Sequence, residues 1–289
     1  MDDATFPALY RSADTAAGKR QTDYLRLIRT EYALLLLAAV FSATPIKASW
    51  FYAVCAFVFF VSIIVLMTRS MQKPEQDWYR ARALAESVKT IAWRYMMGAA
   101  PFGVGTDAQA RIEFGDHLKQ LFDANRNAVQ RLTPDGSAED QITTQMETVR
   151  ATALADRRAL YLAHRVRDQR NWYAARADTN RKSASQWVSI TVAAYILAGG
   201  LCLARIQLPD WPVWPIEPLI VFASCAVGWM QIKKFNELAV AYTVTAHEIG
   251  LLGPRLEAAS NEVELSNAIN EAELAFSREH TFWIARQTT

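Results

Sequence analysis

The sequence of 289 residues lacks the residue patterns on which most catalytic and metal sites depend. It has three cysteines, Cys55, Cys202 and Cys225, all inside apolar runs and none at the spacing of a metal or redox motif. Its four histidines lie on four different predicted helices, and no phosphate-binding glycine loop or nucleophile elbow occurs. The sequence therefore predicts a protein that is not an enzyme and that uses no metal or cofactor.

The chain also lacks a strong excess of charge, since its net charge at pH 7 is +2. Such a near-neutral total is no electrostatic reason to expect nucleic-acid binding. The N-terminal residues have no basic start followed by an apolar core and a small-residue cleavage site, so we expect no cleaved signal peptide. The sequence is instead rich in apolar residues, which are concentrated in four runs.

Residues 183–204 form the strongest of these runs, because they carry no charge and are followed directly by Arg205. At about 1.5 Å per residue, a helix of this length extends roughly 30 Å, the thickness of the hydrocarbon core of a bilayer. Residues 50–67 also carry no charge and begin with aromatic residues, which favour a lipid interface. Residues 32–46 and 218–232 are shorter, but each lies one short connection from a strong run. The pattern predicts two transmembrane hairpins, and therefore four spans.

Lysine and arginine residues flank the outer ends of both hairpins and are scarce in the connecting turns. By the positive-inside rule, this places both termini and the long middle segment in the cytoplasm and leaves two short turns outside. The expected location is a membrane, which the chain crosses several times. The flanking basic residues are Lys19, Arg20, Arg26, Arg29, Arg69, Lys73, Arg176, Arg181, Lys182, Lys233 and Lys234.

The polar segments have the three- and four-residue apolar periodicity of amphipathic helices. No proline or glycine occurs between Ser137 and Gly199, which predicts one very long helix that resembles a coiled coil in the cytosol and continues into the membrane. No useful strand-period alternation occurs, so the predicted fold class is an all-α membrane protein. The predicted cytosolic helices cover residues 78–97, 107–132 (capped at Thr106 or Asp107), 235–252 and 255–286, with a basic break at residues 69–77 and a turn at residues 133–136.

The order of cytosolic helix, hairpin and cytosolic helix occurs twice along the chain, which indicates a weak internal duplication. The first hairpin has polar helices before and after it, and so has the second. This order predicts a first module over residues 1–105, a connecting helix and turn over residues 106–136, and a second module over residues 137–289.

Three stretches resemble SLATT domains, which are two-transmembrane modules with cytosolic helices found in bacterial conflict systems. The first stretch is similar to the helix that leads into a span, the second to the helix that follows a span, and the third to the terminal helix of the family. The residues that carry the resemblance are Tyr161, Arg165, Asp168, Gln169, Trp172 and Tyr173 in the first, Ala85, Glu86, Ser87, Lys89 and Trp93 in the second, and Glu279, His280, Trp283, Ile284, Ala285 and Arg286 in the third.

The resemblance covers most of the chain as a tandem pair of such modules. It implies an effector of an anti-phage, abortive-infection system that oligomerises and forms a pore or disrupts the inner membrane. The expected partners are the lipid bilayer, further copies of the chain, and a nucleotide second messenger or sensor protein that acts as the trigger. The alternative is a non-conducting membrane scaffold whose coiled-coil helices recruit a cytosolic partner.

Two sets of residues are candidates for this function. Hydroxyl-bearing residues in the spans would line a pore, although hydroxyl groups in helices usually bond their own backbone. Basic residues before the third span would bind anionic lipid headgroups or a phosphate-bearing signal. In the same span, Gly199 and Gly200 indicate close packing against another helix, with a gating hinge as the alternative. The candidate pore-lining residues are Ser189, Thr191, Tyr195, Ser62 and Ser224, and the candidate signal- or headgroup-binding residues are Arg165, Arg167, Arg170, Arg176, Arg181 and Lys182.

Overall fold

The computed structural model describes residues 2–103, 105–130, 132 and 140–288, with their side chains as far as Phe276. Within these ranges all regular structure is helical, which confirms the predicted fold class of an all-α membrane protein. A 3-10 turn at Asp3–Thr5 precedes the first helix, and a π-helical turn at Leu162–Arg167 joins the seventh helix to the eighth. The α-helices are α1 (Ala8–Ser42), α2 (Ser49–Gln72), α3 (Pro74–Met97), α4 (Asp107–Ala124), α5 (Arg126–Val129), α6 (Thr144–Arg150), α7 (Leu154–Tyr161), α8 (Asp168–Gln207), α9 (Ile216–Lys233), α10 (Phe235–Ala258) and α11 (Glu262–Thr288).

Among the described residues, three helical stretches are long and apolar enough to cross a membrane: Ser49–Met97, Leu154–Gln207 and Ile216–Ala258. They contain three of the four predicted spans, and most side chains in their apolar windows are not buried inside the chain. The other predicted span, residues 32–46, lies mostly in α1, which ends at Ser42. Some of its apolar side chains, such as Leu35 and Val40, are exposed as well. A fourth crossing therefore stays a prediction.

The two hairpins end in the same way. Lys73 follows α2 with φ 43°, and Lys234 follows α9 with φ 47°, so both lysines adopt the left-handed conformation. Each donates its backbone N–H to the carbonyl four residues earlier, on Arg69 and Met230 respectively. A helix of 24 residues comes next in both cases, α3 in the first half and α10 in the second. The duplication is thus present in helix lengths and helix ends as well as in the order of elements.

The chain folds into two compact units, and each unit takes residues from both halves of the sequence. Unit 1 consists of the residues up to Gln21, Glu75–Arg176, and the residues from Ala241 onward. Unit 2 consists of Thr22–Pro74 and Ala177–Val240. This division differs from the predicted sequence modules at residues 1–105, 106–136 and 137–289, which stay a prediction.

The core of unit 1 is a cluster of buried aromatic and apolar side chains from both halves of the sequence. At its centre is Trp93 of α3, which is 1% exposed. Its ring centroid lies 6.0 Å from that of Phe6 and 5.5 Å from that of Tyr161 in α7. Aromatic pairs at such distances add to the stabilisation from burial of their area. A second aromatic group in the same core consists of Tyr95, Phe102 and Phe114.

Small side chains form the buried faces of the helices in unit 2. In α9, Ala223 and Ala226 are buried, and Gly228 is the residue at which a side chain would meet a neighbouring helix. A Cβ on Gly228 would lie 2.5 Å from the hydroxyl oxygen of Tyr32 in α1. Small residues let helix backbones approach in this way inside a membrane. The buried residues of α8 in this unit are Ala177, Ala184, Thr191, Ala194 and Ala198, at spacings typical of a helix–helix seam.

The predicted long helix from Ser137 is partly wrong. The structure has a separate short helix, α6, and the continuous stretch begins only at Leu154. Thr143 caps α6, because its hydroxyl accepts from the backbone N–H of Met146 and donates to the carbonyl of Thr5. Ala153 has an extended backbone with ψ 152°, which separates α6 from α7. The predicted turn at residues 133–136 lies outside the described residues.

Three other predicted boundaries also differ. The basic break at residues 69–77 is only Lys73, because Pro74 starts α3, where a missing N–H loses no helical bond. The helix predicted over residues 107–132 is divided into α4 and α5, while its cap at Thr106 is confirmed by a bond from the N–H of Gln109. The predicted stop at Gly253 and Pro254 is wrong, since α10 continues through Pro254 to Ala258.

Replacing Gly98 with alanine is expected to lower the free energy of unfolding by about 1–2 kcal/mol. Gly98 has φ +64°, and an added Cβ would lie 2.7 Å from the Nη1 atom of Arg157. The matched control is Gly115→Ala in α4, where nothing lies within 4 Å of the added Cβ. Alanine there should raise the stability by about 0.5–1 kcal/mol because it favours the helix. Urea unfolding in detergent, followed by circular dichroism, measures both, and equal effects would contradict the expectation.

Candidate functional site

The structure places the candidate pore-lining hydroxyls on three helices, α2, α8 and α9. Three of them donate to the carbonyl four residues earlier: Ser62 to Val58 at 2.9 Å, Thr191 to Trp187 at 2.8 Å and Ser224 to Ile220 at 2.9 Å. This confirms the expectation that hydroxyl groups in spans bond their own backbone. Thr191 is also buried inside the chain, whereas Ser189 and Tyr195 lie on the exposed face of α8.

The close packing predicted for Gly199 and Gly200 does not occur within the single chain, and packing against another copy stays a prediction. No heavy atom lies within 4 Å of a Cβ added to either glycine, and both are exposed. Close approach occurs instead at Gly228, next to Tyr32. The small residues of α8 that do pack inside the chain are alanines on the opposite side, such as Ala194 and Ala198.

The six candidate basic residues before the third span do not form one surface. Arg165 is 1% exposed and its guanidinium is held by Glu273, so the predicted role in binding headgroups or a signal does not fit this residue. The other five, from Arg167 to Lys182, are exposed. Among them, Lys182 pairs with Asp178 at 2.8 Å, and Arg176 lies over the ring of Trp172 with 5.4 Å to the centroid.

The buried ion pair of Arg165 with Glu273 joins the π-helical turn to α11. Arg165 donates from Nε to Oε1 of Glu273 at 2.9 Å and from Nη2 to Oε2 at 2.7 Å, a bidentate geometry. The hydroxyl of Tyr161 donates to Oε1 at 2.8 Å. The guanidinium carbon of Arg165 lies 4.5 Å from the ring centroid of Phe276. The polar groups of Arg165, Glu273 and Tyr161 are therefore all hydrogen-bonded although the three side chains are almost completely buried.

The electrostatics of this cluster favour a charged Arg165 and a neutral Tyr161. Burial is the largest single influence and opposes a charge on Arg165, but the charge and hydrogen bonds of Glu273, together with Tyr161 and Glu86, outweigh burial and raise the pKa of the guanidinium. Burial, together with the same carboxylate, raises the pKa of the Tyr161 hydroxyl well above its ordinary value. Tyr161 therefore stays a neutral hydrogen-bond donor to Glu273 at physiological pH.

The cluster lies at the π-helical turn, Leu162–Arg167, where the long helical stretch departs from α-helical geometry. Leu162, Arg165 and Val166 of the π-helical turn are buried. Such turns shift the register of the residues that follow and are frequent at functional sites. The stretch Leu154–Gln207 contains this turn and also the strongest predicted span, so the ion pair holds the helical stretch that continues into a candidate membrane span.

Two further arginines bind the end of α3, and sequence reasoning missed both. Arg150 donates to the carbonyls of Tyr95 at 2.7 Å and Phe102 at 2.8 Å. Arg157 donates to the carbonyl of Met97 at 2.7 Å and pairs with Glu262 at the start of α11. Guanidinium groups suit this position because the last carbonyls of a helix have no partner within it and carry partial negative charge.

A sequence pattern could have indicated the role of Glu273. Leu265, Ile269 and Phe276 follow the apolar face of α11, and Glu273 is four residues after Ile269 on that face. A carboxylate on an apolar face needs a buried partner. The partner itself could not be found from sequence, because it is 108 residues away. The predicted family residues from Glu279 to Arg286 lie beyond the described side chains.

The described residues contain no group of three or more histidine, cysteine, aspartate or glutamate side chains that could hold a metal ion. The buried polar groups described above are bonded to each other or to backbone carbonyls. Such an arrangement fixes the positions of the helices that it joins.

Comparison with known protein families gives two matches that lie end to end. Residues 7–158 match SLATT_3, the SMODS and SLOG-associating 2TM effector domain 3. Residues 161–283 match SLATT_1, the SMODS and SLOG-associating 2TM effector domain 1. No curated protein and no solved structure matches the chain significantly.

Proposed function

Because the chain belongs to the SLATT family, as two such modules in tandem, we propose that it is the membrane effector of a bacterial anti-phage system. SLATT effector domains are associated with conflict systems, and the apolar helices imply contact with a lipid bilayer. In the proposal, a nucleotide signal or a partner protein triggers the effector, several copies assemble, and the inner membrane of the infected cell loses its potential. The proposed function rests on the tandem family match together with the exposed apolar helices.

The proposed topology leaves both termini and the middle segment in the cytoplasm. Arg181 and Lys182 come directly before the third predicted span, and Arg29 and Arg69 lie at the ends of the first hairpin. These positive charges favour the cytoplasmic side and attract anionic headgroups. Unit 1 would then be a cytosolic bundle in which the trigger is received.

The side chains available in the spans support the proposed assembly. The exposed face of α8 is largely apolar, with residues such as Val188, Ile196 and Leu203. Ser189 and Tyr195 are the hydroxyl-bearing residues of the candidate set that this face presents. One chain has too few hydroxyl groups to line a pore by itself. A pore lined by them therefore needs several copies arranged around a common axis. We therefore assign pore lining to Ser189 and Tyr195 and leave Thr191 as a packing residue.

Purified protein in planar bilayers is expected to conduct ions, and a thiol reagent should block a Ser189→Cys variant in a background without Cys55, Cys202 and Cys225. The matched control is Thr191→Cys in the same background, two residues away but buried inside the chain. In bacteria, induction of the triggered protein should depolarise the inner membrane, as reported by a potential-sensitive dye.

Unchanged polarisation in dying cells would exclude a pore. Protein that assembles, passes no ions and retains a cytosolic partner would instead support the scaffold alternative.

A further inference from the structure

Trp229, near the end of α9, is a point in unit 2 at which three helices meet. The guanidinium carbon of Arg29 in α1 lies over its ring with 5.4 Å to the centroid, and the ammonium of Lys233 lies over the same ring with 5.8 Å. Trp187 of α8 is the third neighbour, with 6.5 Å between the two ring centroids. Two cations therefore share one indole, whose negative faces attract positive charge.

These contacts lie at the surface of the predicted membrane. Trp229 belongs to the candidate span Ile216–Ala258, and tryptophan is enriched where lipid meets water. At the same level of α9, Gly228 lies against the hydroxyl of Tyr32 in α1. Along α1, Arg29 precedes Tyr32, the first residue of the predicted span, by about 4.5 Å. The headgroup layer on one side of a bilayer is roughly 5–8 Å thick, so Arg29 lies within it.

The charge of Arg29 is not neutralised inside the described part of the chain. None of the ion pairs between described side chains includes Arg29, or Arg26 one turn before it. Glu31 is the carboxylate closest to Arg29 in sequence, but it pairs with Arg69 at 3.1 Å. Residues two positions apart on a helix do not face each other, so Glu31 is directed away from Arg29. Arg26 and Arg29 are both exposed neighbours on one side of α1, and their like charges repel each other.

We propose that Arg26, Arg29 and the ring of Trp229 form a binding site for the phosphate of an anionic phospholipid. A guanidinium donates two parallel hydrogen bonds to a phosphate, and a phosphate that contacts both arginines removes the repulsion between them. The indole holds Arg29 at the depth where lipid phosphates lie. Phosphatidylglycerol fits this site better than a zwitterionic lipid, whose headgroup brings its own cation to a place that is already positive.

Such a lipid would join α1 of the first hairpin to α9 of the second. The site goes beyond the proposed pore and does not depend on it, because lipid binding is measured without any ion current. A soluble molecule with a phosphate group offers the same chemistry as a lipid headgroup. The experiment therefore has one arm for each of the two sources.

The test is the binding of short-chain phosphatidylglycerol to the full chain in neutral detergent, followed by isothermal titration calorimetry. Phosphatidylglycerol should bind about tenfold or more tightly than phosphatidylcholine with the same acyl chains. Arg29→Gln should weaken binding of phosphatidylglycerol by about tenfold, because charge-assisted hydrogen bonds are lost. Arg29→Lys keeps the charge but not the fork, so its loss should be smaller. Circular dichroism confirms that each variant is folded.

The matched control is Arg181→Gln. Arg181 is also exposed and lies two residues before the predicted span at residues 183–204. A general attraction of the membrane surface for basic residues would act on Arg181 and Arg29 alike. Since Arg181 is outside the proposed site, its replacement should change the affinity for phosphatidylglycerol by less than about twofold.

Equal losses at Arg29 and Arg181, or equal affinities for the two lipids, would overturn the site. Inorganic phosphate in large excess should not displace the lipid, because it gains nothing from the acyl chains. Displacement would identify a soluble phosphate as the ligand and overturn the lipid. The two proposals fail separately. A protein that conducts ions without preferring phosphatidylglycerol refutes the site alone, and one that prefers this lipid but never conducts refutes the pore alone.

Discussion

Replacing Glu273 with alanine is expected to lower the free energy of unfolding by about 3–5 kcal/mol, because the charge of Arg165 would stay buried without a partner. Arg165 is 1% exposed and Glu273 is fully buried, so neither group can turn to solvent without opening the bundle. The substitution also removes the acceptor of the Tyr161 hydroxyl. Denaturant unfolding in detergent, followed by far-ultraviolet circular dichroism, measures the loss.

The control for this substitution is Glu271→Ala, two residues earlier in α11. Glu271 forms an ion pair with Arg255 on the surface, and both side chains are more than half exposed. An exposed pair of this kind contributes about 0–1 kcal/mol, so the loss should be small. A loss at Glu271 as large as that at Glu273 would contradict the burial argument.

A double replacement keeps the test valid if Glu273→Ala does not fold. Arg165→Met with Glu273→Leu removes both charges and keeps apolar volume in their place. Since replacement of a buried pair by apolar residues is often neutral or stabilising, this variant should be more stable than either single one. If the double variant is as unstable as the singles, shape rather than charge determines stability at this position.

Replacing Trp93 with alanine should lower the free energy of unfolding by about 3–5 kcal/mol, the range for loss of a large aromatic side chain from a core. Trp93 contacts Phe6 at the start of the chain and Tyr161 at the start of the second family match, so the cavity would open between both halves of the sequence. We expect unit 1 to lose its cooperative transition first. The indole signal in near-ultraviolet circular dichroism reports this directly.

Trp172→Ala is the comparison for Trp93. Trp172 is 42% exposed and its ring contacts Tyr242 and Tyr173 at centroid distances of 5.6 Å and 5.0 Å. Its removal leaves no closed cavity, so the expected loss is only about 1 kcal/mol. Similar losses at the two tryptophans would mean that Trp93 is not central to the core.

The presence of the helices and their approximate extent could be predicted from sequence, because both depend on interactions between residues that are close in the chain. The apolar runs, the three- and four-residue periodicity and the cap at Thr106 act over a few residues, and the structure contains the corresponding helices. The errors came where a local signal competed with packing. Thr143 interrupts the expected long helix through a contact with the distant Thr5, and the extended backbone of Ala153 interrupts it a second time. Helix α10 continues past Pro254.

Little of the candidate site could be predicted in this way. The bonds of span hydroxyls to their own backbone were expected, because the acceptor is four residues away on the same helix. Arg165 was assigned to a surface because a basic residue among other basic residues has no local sign of burial. Its partner, and the partners of Arg150 and Arg157, lie on other helices.

The amino-acid sequence by itself determined that this protein is an all-helical membrane protein with SLATT modules in tandem, because chain length, apolar content and periodicity fix those properties segment by segment. Only the tertiary structure decided which charges are buried and which are exposed. A guanidinium at Arg165 and one at Arg167 are chemically identical, and they differ because Glu273 from the far end of the chain reaches one of them and not the other.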